Sequence, residues 1–333
     1  MPSSRWAGST GGACRQVTVQ QVVIFGAGAL GTVLGARLAT VRPVALVARP
    51  AAARAIRRRG LVVHGEGAAR LDPGAVTVTH RPRPFGPRCL VVVAVKLPDL
   101  AAAGRSLAAL AAEDTCFLLV QNGLEGRELF LGGAGRPLLT QRAIASMGAE
   151  LLAPGEAVCA GGGLTLERSP CSAALALLFR KAHVPCTESP DFERALWKKL
   201  AVNCVANPLT AILDVRNCDV ITPDLAPVRR AVCAEVAALA AHAGHPLPED
   251  LPERIDAALG ASSNRSSMLQ DLTRGRPTEI DYLNGFVARR AEELGLAAPV
   301  NATLAALVRA RTAAAAAPYR LRRWAAPPQR PAR

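Results

Sequence analysis

Acidic residues are missing from the first 65 positions of this 333-residue chain and again from residues 309–333. These ends carry nine and seven arginines, so sixteen of the 40 basic side chains lie there and the middle keeps 24 basic against 26 acidic groups. The net charge of +14 is therefore a property of the ends, and the body is nearly neutral. A nucleic-acid-binding domain gathers basic charge on one face of the folded body, so this distribution weighs against that role. Lysine is scarce, standing only at 96, 181, 198 and 199. Arginine and alanine abound instead, which marks a genome's base composition more than a binding footprint.

Long apolar runs are missing too. The best stretch, Cys89–Leu97, is broken by Lys96 and falls short of the roughly 18 residues a membrane span needs. The nine cysteines are odd in number, scattered and free of any Cys-x-x-Cys pair. That excludes a zinc ribbon or thioredoxin-type motif and fits a reducing compartment, so a cytoplasmic protein is expected. Of the five histidines only His242 and His245 are close, with no neighbouring cysteine or carboxylate pattern, and no metal is expected. The remaining composition, 50% apolar and 20% charged, is globular, and the length suits two domains.

Residues 1–19 lack periodicity and read as a flexible extension; their acid-free, Arg-bearing character makes organellar import a minority reading. Val22–Phe25 is a short apolar run, Ala29–Ala39 reads as a helix and Pro43–Val47 as a second apolar run, which together make a βαβ unit. The alternation continues through Leu90–Val95, a helix over Pro98–Ala112, and Cys116–Val120 before Gln121-Asn122-Gly123. Uninterrupted apolar strands are those buried on both faces of a parallel sheet. Leu164–Leu166 reads as a further strand, with an antiparallel placement left open. From Asp191 the texture becomes helical, over 191–212, 226–243, 249–260, 264–273, 278–294 and 299–316. The expected fold class is α/β: a Rossmann-type doubly wound parallel sheet over 20–190, an all-helical domain over 191–317, and a basic flexible tail over 318–333.

Gly26-Ala27-Gly28-Ala29-Leu30-Gly31 follows a strand and opens a helix, the context of a dinucleotide-binding turn. Gly26 suits the tight turn, Gly28 the close approach of a pyrophosphate, and Gly31 helix-to-strand packing. An NAD site places a carboxylate at the end of the second strand, but here Arg49 stands there and no acid precedes Glu66. A guanidinium pairs with a 2′-phosphate, so NADPH/NADP+ is the expected cofactor. Lys96 and Asn122 each follow an apolar strand, where open α/β sheets bind ligands.

In Trp197–Ile212, residues Lys199, Asn203 and Asn207 recur every four positions and so share one helix face. Lys198 projects elsewhere. Pro208 removes a helical hydrogen bond and disfavours α geometry at Asn207, predicting a kink. In Ser266–Gly285, Pro277-Thr278-Glu279 reads as a helix start, with Thr278 as cap and Glu279 in the first turn.

These two blocks and the Gly26–Gly31 turn resemble the ketopantoate reductase family over roughly residues 20–312. The resemblance implies a two-domain NADPH-dependent 2-dehydropantoate 2-reductase, a monomer or homodimer, acting on a small 2-keto acid. Lys199 matches the proton donor, with Glu279 on the nicotinamide side of the cofactor and also supporting site charge. Lys96, Asn122 and Ala149 match cofactor contacts. Asn122, Asn203, Asn207, Asn217, Asn264 and Ser267, with Lys199, match substrate contacts. Two departures bear on the pocket: Cys218 replaces the family's usual glycine after Asn217, and Gln141–Ser146 replaces a Thr-rich run. They keep open a related NADP-dependent reductase of another 2-keto acid. In another class stands an NADPH-binding protein whose arginine-rich ends engage an acidic partner.

Overall fold

The computed structural model describes residues 18–316. The expected tail over 318–333 and the extension up to residue 17 lie outside the described residues. Val19, counted with the extension, instead belongs to the fold: it is buried, and its carbonyl accepts from Arg42 Nε at 2.7 Å.

The N-terminal half runs β1 (Gln21–Phe25), α1 (Ala29–Leu38), β2 (Val44–Val47), α2 (Pro50–Arg59), β3 (Leu61–Gly65), β4 (Ala69–Leu71), β5 (Thr77–Thr79) and β6 (Cys89–Val93). It continues with α3 (Leu100–Ala108), β7 (Cys116–Leu119), α4 (Gly126–Ala134), β8 (Thr140–Ala145), β9 (Ala149–Ala153), β10 (Glu156–Cys159), β11 (Leu164–Glu167), α5 (Ser172–Lys181) and β12 (Cys186–Ser189). Helices α6 (Phe192–Leu213), α7 (Ala226–His242), α8 (Leu251–Gly260), α9 (Ser267–Thr273), α10 (Asn284–Glu293) and α11 (Pro299–Ala316) complete the described chain.

The main sheet has eight strands in the order β12-β11-β8-β7-β6-β1-β2-β5. Every neighbouring pair from β8 to β5 is parallel, while β11 is antiparallel to β8. Alternate residues of the central strands enter different cores. Val22, Ile24, Leu90 and Val92 pack with α1 and α5 on one face, and Val23, Val91, Val93 and Phe117 pack with α3 and α4 on the other. That two-sided burial is why β6 and β7 read as unbroken apolar runs.

A second sheet of four strands, in the order β4-β3-β10-β9, lies against α1 and has no counterpart in the pattern-based reading. Its strands are three to five residues long and partly exposed, and β3 pairs in parallel with β10 across the whole central sheet's worth of sequence. Periodicity over such short segments carries little signal.

Asp191 caps α6, accepting from the Arg194 N–H at 3.3 Å. Arg142 on β8 fastens the same turn: it pairs with Glu167 at 2.7 Å, also pairs with Glu193, and lies 4.9 Å over the Phe192 ring. Pro208 lies inside α6, which continues through it to Leu213. Glu279 departs from expectation: it precedes a 3-10 turn, Ile280–Tyr282, and the α-helix starts only at Asn284. Helices α6 to α11 share a core that includes Leu200, Cys204, Val232, Val236, Phe286 and Val308. No helix among the described residues is long and apolar enough to cross a membrane.

Candidate active site

The glycine turn meets its three geometric requirements with three different residues. Gly26 has φ +115°, and a Cβ there would lie 2.8 Å from the Ala94 carbonyl carbon and oxygen. A Cβ on Gly31 would lie 1.9 Å from the Gly26 carbonyl oxygen, so strand and helix meet there backbone to backbone. Gly28 is the opposite case, because a Cβ on it would meet no atom within 4 Å. Gly28 also caps α1 without a side-chain hydrogen bond, and the first turn holds no acid. The turn Gly26-Ala27-Gly28-Ala29-Leu30-Gly31 thus offers helix N–H groups and the positive helix end to open space, a cradle that fits a pyrophosphate.

Arg49 extends from the end of β2 with its side chain 90% exposed, and Asp99 is 3.7 Å from its guanidinium. Beyond β6, Lys96 pairs with Asp271 of α9 and reaches toward the Pro277 carbonyl at 3.5 Å. Glu279 accepts from the Leu97 N–H at 3.0 Å. Its neighbours are therefore Lys96 and Leu97, and no ion pair or hydrogen bond among the described residues joins it to Lys199. Burial pushes the carboxyls of Asp271 and Glu279 above their ordinary range, with Lys96 pulling both back down.

Asn122 follows β7. Its neighbour Gln121 donates to the carbonyls of Val93 at 2.5 Å and Val95 at 2.9 Å, which ties the turns after β6 and β7 together. Asn122 itself stays half-buried, with its carboxamide making no hydrogen bond among the described residues.

On α6, Lys199 is half-buried while Lys198 is exposed. Burial holds the Lys199 pKa below the ordinary lysine value, and it has no ion-pair partner among the described residues. Asn203 and Asn207 are buried on the same helix, and the Asn203 Nδ2 has no hydrogen-bond partner. A buried polar atom left unpaired costs about 1–3 kcal/mol, a cost that a ligand hydroxyl can relieve.

Thr210, one turn beyond Asn207, joins α6 to α9 through its hydroxyl, which donates to Ser266 Oγ at 2.6 Å. Ser266 is the helix cap, accepting from the Leu269 N–H at 3.1 Å, so Ser267 is left exposed and free of that duty. The Asn217 N–H donates to the Asn264 carbonyl at 3.0 Å and its Nδ2 to Ser262 Oγ at 3.1 Å, while its Oδ1 is buried without a partner. Asn264 in turn reaches the other domain: its Nδ2 would be 2.8 Å from a Cβ on Gly148, next to Ala149 at the start of β9.

The expected residues therefore form two linked groups. Asn207 is tied through Thr210 to Ser266, beside Ser267, and Asn217 is tied to Asn264 and Ser262, while Asn203 shares the α6 face with Asn207; Lys96 and Glu279 meet around Asp271 and Leu97. Helix α9 carries members of both. Asp271 was missed in the sequence, although its position four residues after Ser267 puts the two on one helix face. Cys218 begins an ordinary 3-10 turn, and Arg88, His183 and Asp214 are the non-glycine residues with positive φ among those described. Replacing the family's glycine with Cys218 thus introduces no backbone strain. Gln141 is buried, its amide donating to the Glu167 carbonyl at 2.6 Å, and takes a structural place in β8. No cluster suited to a metal exists among the described residues.

The chain matches the family model for ketopantoate reductase PanE/ApbA over residues 22–167 and that for its C-terminal part over residues 191–312. A 2-dehydropantoate 2-reductase of Archaeoglobus fulgidus is 36% identical over 299 residues, which are 87% of this chain and 97% of that protein. The chain belongs to the ketopantoate reductase family. A solved ketopantoate reductase from Ralstonia eutropha JMP134 is 31% identical, with a TM-score of 0.81 covering 89% of this chain and 99% of that one. A D-mandelate dehydrogenase solved with NADH and anilino(oxo)acetate aligns with a TM-score of 0.79 at 22% identity over 89% of this chain and 99% of that one, a likeness of fold alone. As a ketopantoate reductase family member, the chain is an oxidoreductase.

Proposed function

We propose that the chain reduces 2-dehydropantoate to pantoate with NADPH. The observation that carries this reading is Lys199: a half-buried lysine with no partner and a lowered pKa, one and two turns from Asn203 and Asn207. A 2-keto acid becomes a 2-hydroxy acid when its carbonyl carbon gains a hydride and its oxygen a proton. NADPH supplies the hydride. Lys199 gives its proton to the carbonyl oxygen as charge develops there, and the resulting amine regains a proton from solvent. A pKa lowered toward the working pH makes the ammonium a stronger donor.

The remaining residues hold the two reactants. Asn203, Asn207 and Asn217 offer carboxamides to the substrate's hydroxyl end, and Ser267 with Asn264 faces its carboxylate. Asn122 stands between substrate and cofactor. Gly26–Gly31 receives the pyrophosphate on backbone N–H groups, Arg49 pairs with the 2′-phosphate, and Lys96, Ala149 and Glu279 line the nicotinamide side.

The test follows NADPH oxidation at 340 nm with 2-dehydropantoate and a panel of other 2-keto acids. Turnover that is fastest with 2-dehydropantoate supports the reading. A higher kcat/KM for a different 2-keto acid replaces the substrate, and no oxidation with any of them removes the assignment.

A further inference from the structure

The ion pair between Lys96 and Asp271 joins the N-terminal sheet domain to the helical region. Lys96 lies three residues beyond β6, and Asp271 sits on α9 four residues after Ser267. Every other ion pair among the described residues uses arginine or histidine. In a chain with so few lysines, this position keeps a compact ammonium where a guanidinium fork would be the common choice.

The pair is asymmetric. The Asp271 side chain is 9% exposed and that of Lys96 is 40% exposed, so the carboxylate holds the ammonium from the buried side. An ammonium has three donors, and Asp271 takes one. The Pro277 carbonyl, at 3.5 Å, lies at the long limit of a hydrogen bond. Donor capacity therefore remains on the exposed side of the ammonium. A half-buried pair of this kind gains little stability, because desolvation of the carboxylate offsets the Coulomb attraction. Its cross-domain placement and its free donors give it another use.

We propose that Asp271 is a positioning residue that aims the Lys96 ammonium at the bound dinucleotide. The inference rests on the reading of Lys96 as a cofactor contact. The one ion pair of the Asp271 carboxylate among the described residues is with Lys96, while Arg274 and Arg276 act on it from a longer range, and it acts through Lys96. Without the carboxylate, the four-carbon stem of Lys96 samples other rotamers, and each binding event must order it again.

The test is a cycle on the full-length protein, with wild type, Lys96→Ala, Asp271→Asn and the double variant, read by NADPH titration of protein fluorescence and by steady-state kinetics. Asp271→Asn is expected to raise the Kd and KM for NADPH about tenfold, on the scale of one charged hydrogen bond, with a smaller change in kcat. Asp271→Glu is expected to recover part of that loss. In the Lys96→Ala background, Asp271→Asn should add less than about twofold, because residues acting through one contact are not additive.

An Asp271→Asn loss that persists in full without Lys96 overturns the proposal, as does normal NADPH affinity in Asp271→Asn beside weakened affinity in Lys96→Ala. Normal affinity in Lys96→Ala removes the Lys96 assignment and this inference with it, while leaving the reductase reading to the substrate assay. If Asp271→Asn does not fold, the same cycle is run with Asp271→Glu.

Discussion

The side-chain amide of Asn284 donates to the carbonyl of Cys204 at 2.9 Å. Pro208, four residues on, has no N–H, so this carbonyl lacks its usual helical donor. Asn284 takes that place from α10, and its Nδ2 also donates to Asn301 Oδ1 at 2.9 Å. Asn301 is held by Glu235, which accepts its N–H at 2.9 Å and its Nδ2 at 2.7 Å. A chain of amides thus links the proline of α6 to the start of α11 and supplies a donor where Pro208 removes the helical one.

Replacing Asn284 with Leu should lower stability by about 1–3 kcal/mol, since a buried carbonyl is left unpaired. Pro208→Ala introduces an N–H that can serve the Cys204 carbonyl, so the double variant should recover part of the loss. Urea denaturation of the four proteins checks this; equal losses in Asn284→Leu and the double variant would contradict it.

Lys199→Ala should reduce kcat by about 10²–10⁴-fold, the usual contribution of a positioned general acid. In the wild type, kcat/KM should fall on the alkaline side as the ammonium is lost, with its midpoint below the ordinary lysine value. The stability sign follows from the same shift. Between the folded and unfolded pKa values the unfolded chain binds more protons, so stability rises with pH there. Lys199→Met should therefore melt above wild type near neutral pH, the gap narrowing as pH approaches the unfolded lysine value. A wild type that melts higher at neutral pH would refute this.

The two inner glycines of the turn should respond in opposite ways. Gly31→Ala forces a Cβ to within 1.9 Å of the Gly26 carbonyl oxygen and should destabilise the N-terminal domain. Gly28→Ala points into open space and should melt like wild type, yet weaken NADPH binding by occupying the cradle. Thermal melts beside NADPH titrations separate the two; a cold-shifted melt in Gly28→Ala would contradict the reading.

Arg49→Ala should raise KM for NADPH by about 10–100-fold while changing that for NADH little, because one charge-assisted contact to the 2′-phosphate is removed. Parallel kinetics with both cofactors measure it. An equal loss with both would remove Arg49 from the specificity role.

The parts legible in the sequence were those written in long-lived local patterns. Val22–Ile24, Leu90–Val93 and Cys116–Leu119 are buried on both sheet faces and announce themselves as apolar runs. Helix α6 was legible through the four-residue spacing of Lys199, Asn203 and Asn207. The small sheet was not, because β3 and β10 meet only in three dimensions. Glu279 was misplaced for the same reason: Pro277 and Thr278 resemble a helix start, but the contact to Leu97 comes from the other domain. Asp271 and Asn284 lay inside the quoted block, and their partners Lys96 and Cys204 are far away in sequence.

The fastening of α6 at Arg142 turns that helix into a lever with a fixed root. With Phe192 and Glu193 tied to β8, a tilt of the helix about that root would displace each residue in proportion to its distance from it. At 1.5 Å per residue, Lys199 lies about 10 Å from the pivot and Asn207 about 22 Å. The same small angle therefore sweeps the carboxamide of Asn207 through roughly twice the arc of the Lys199 ammonium.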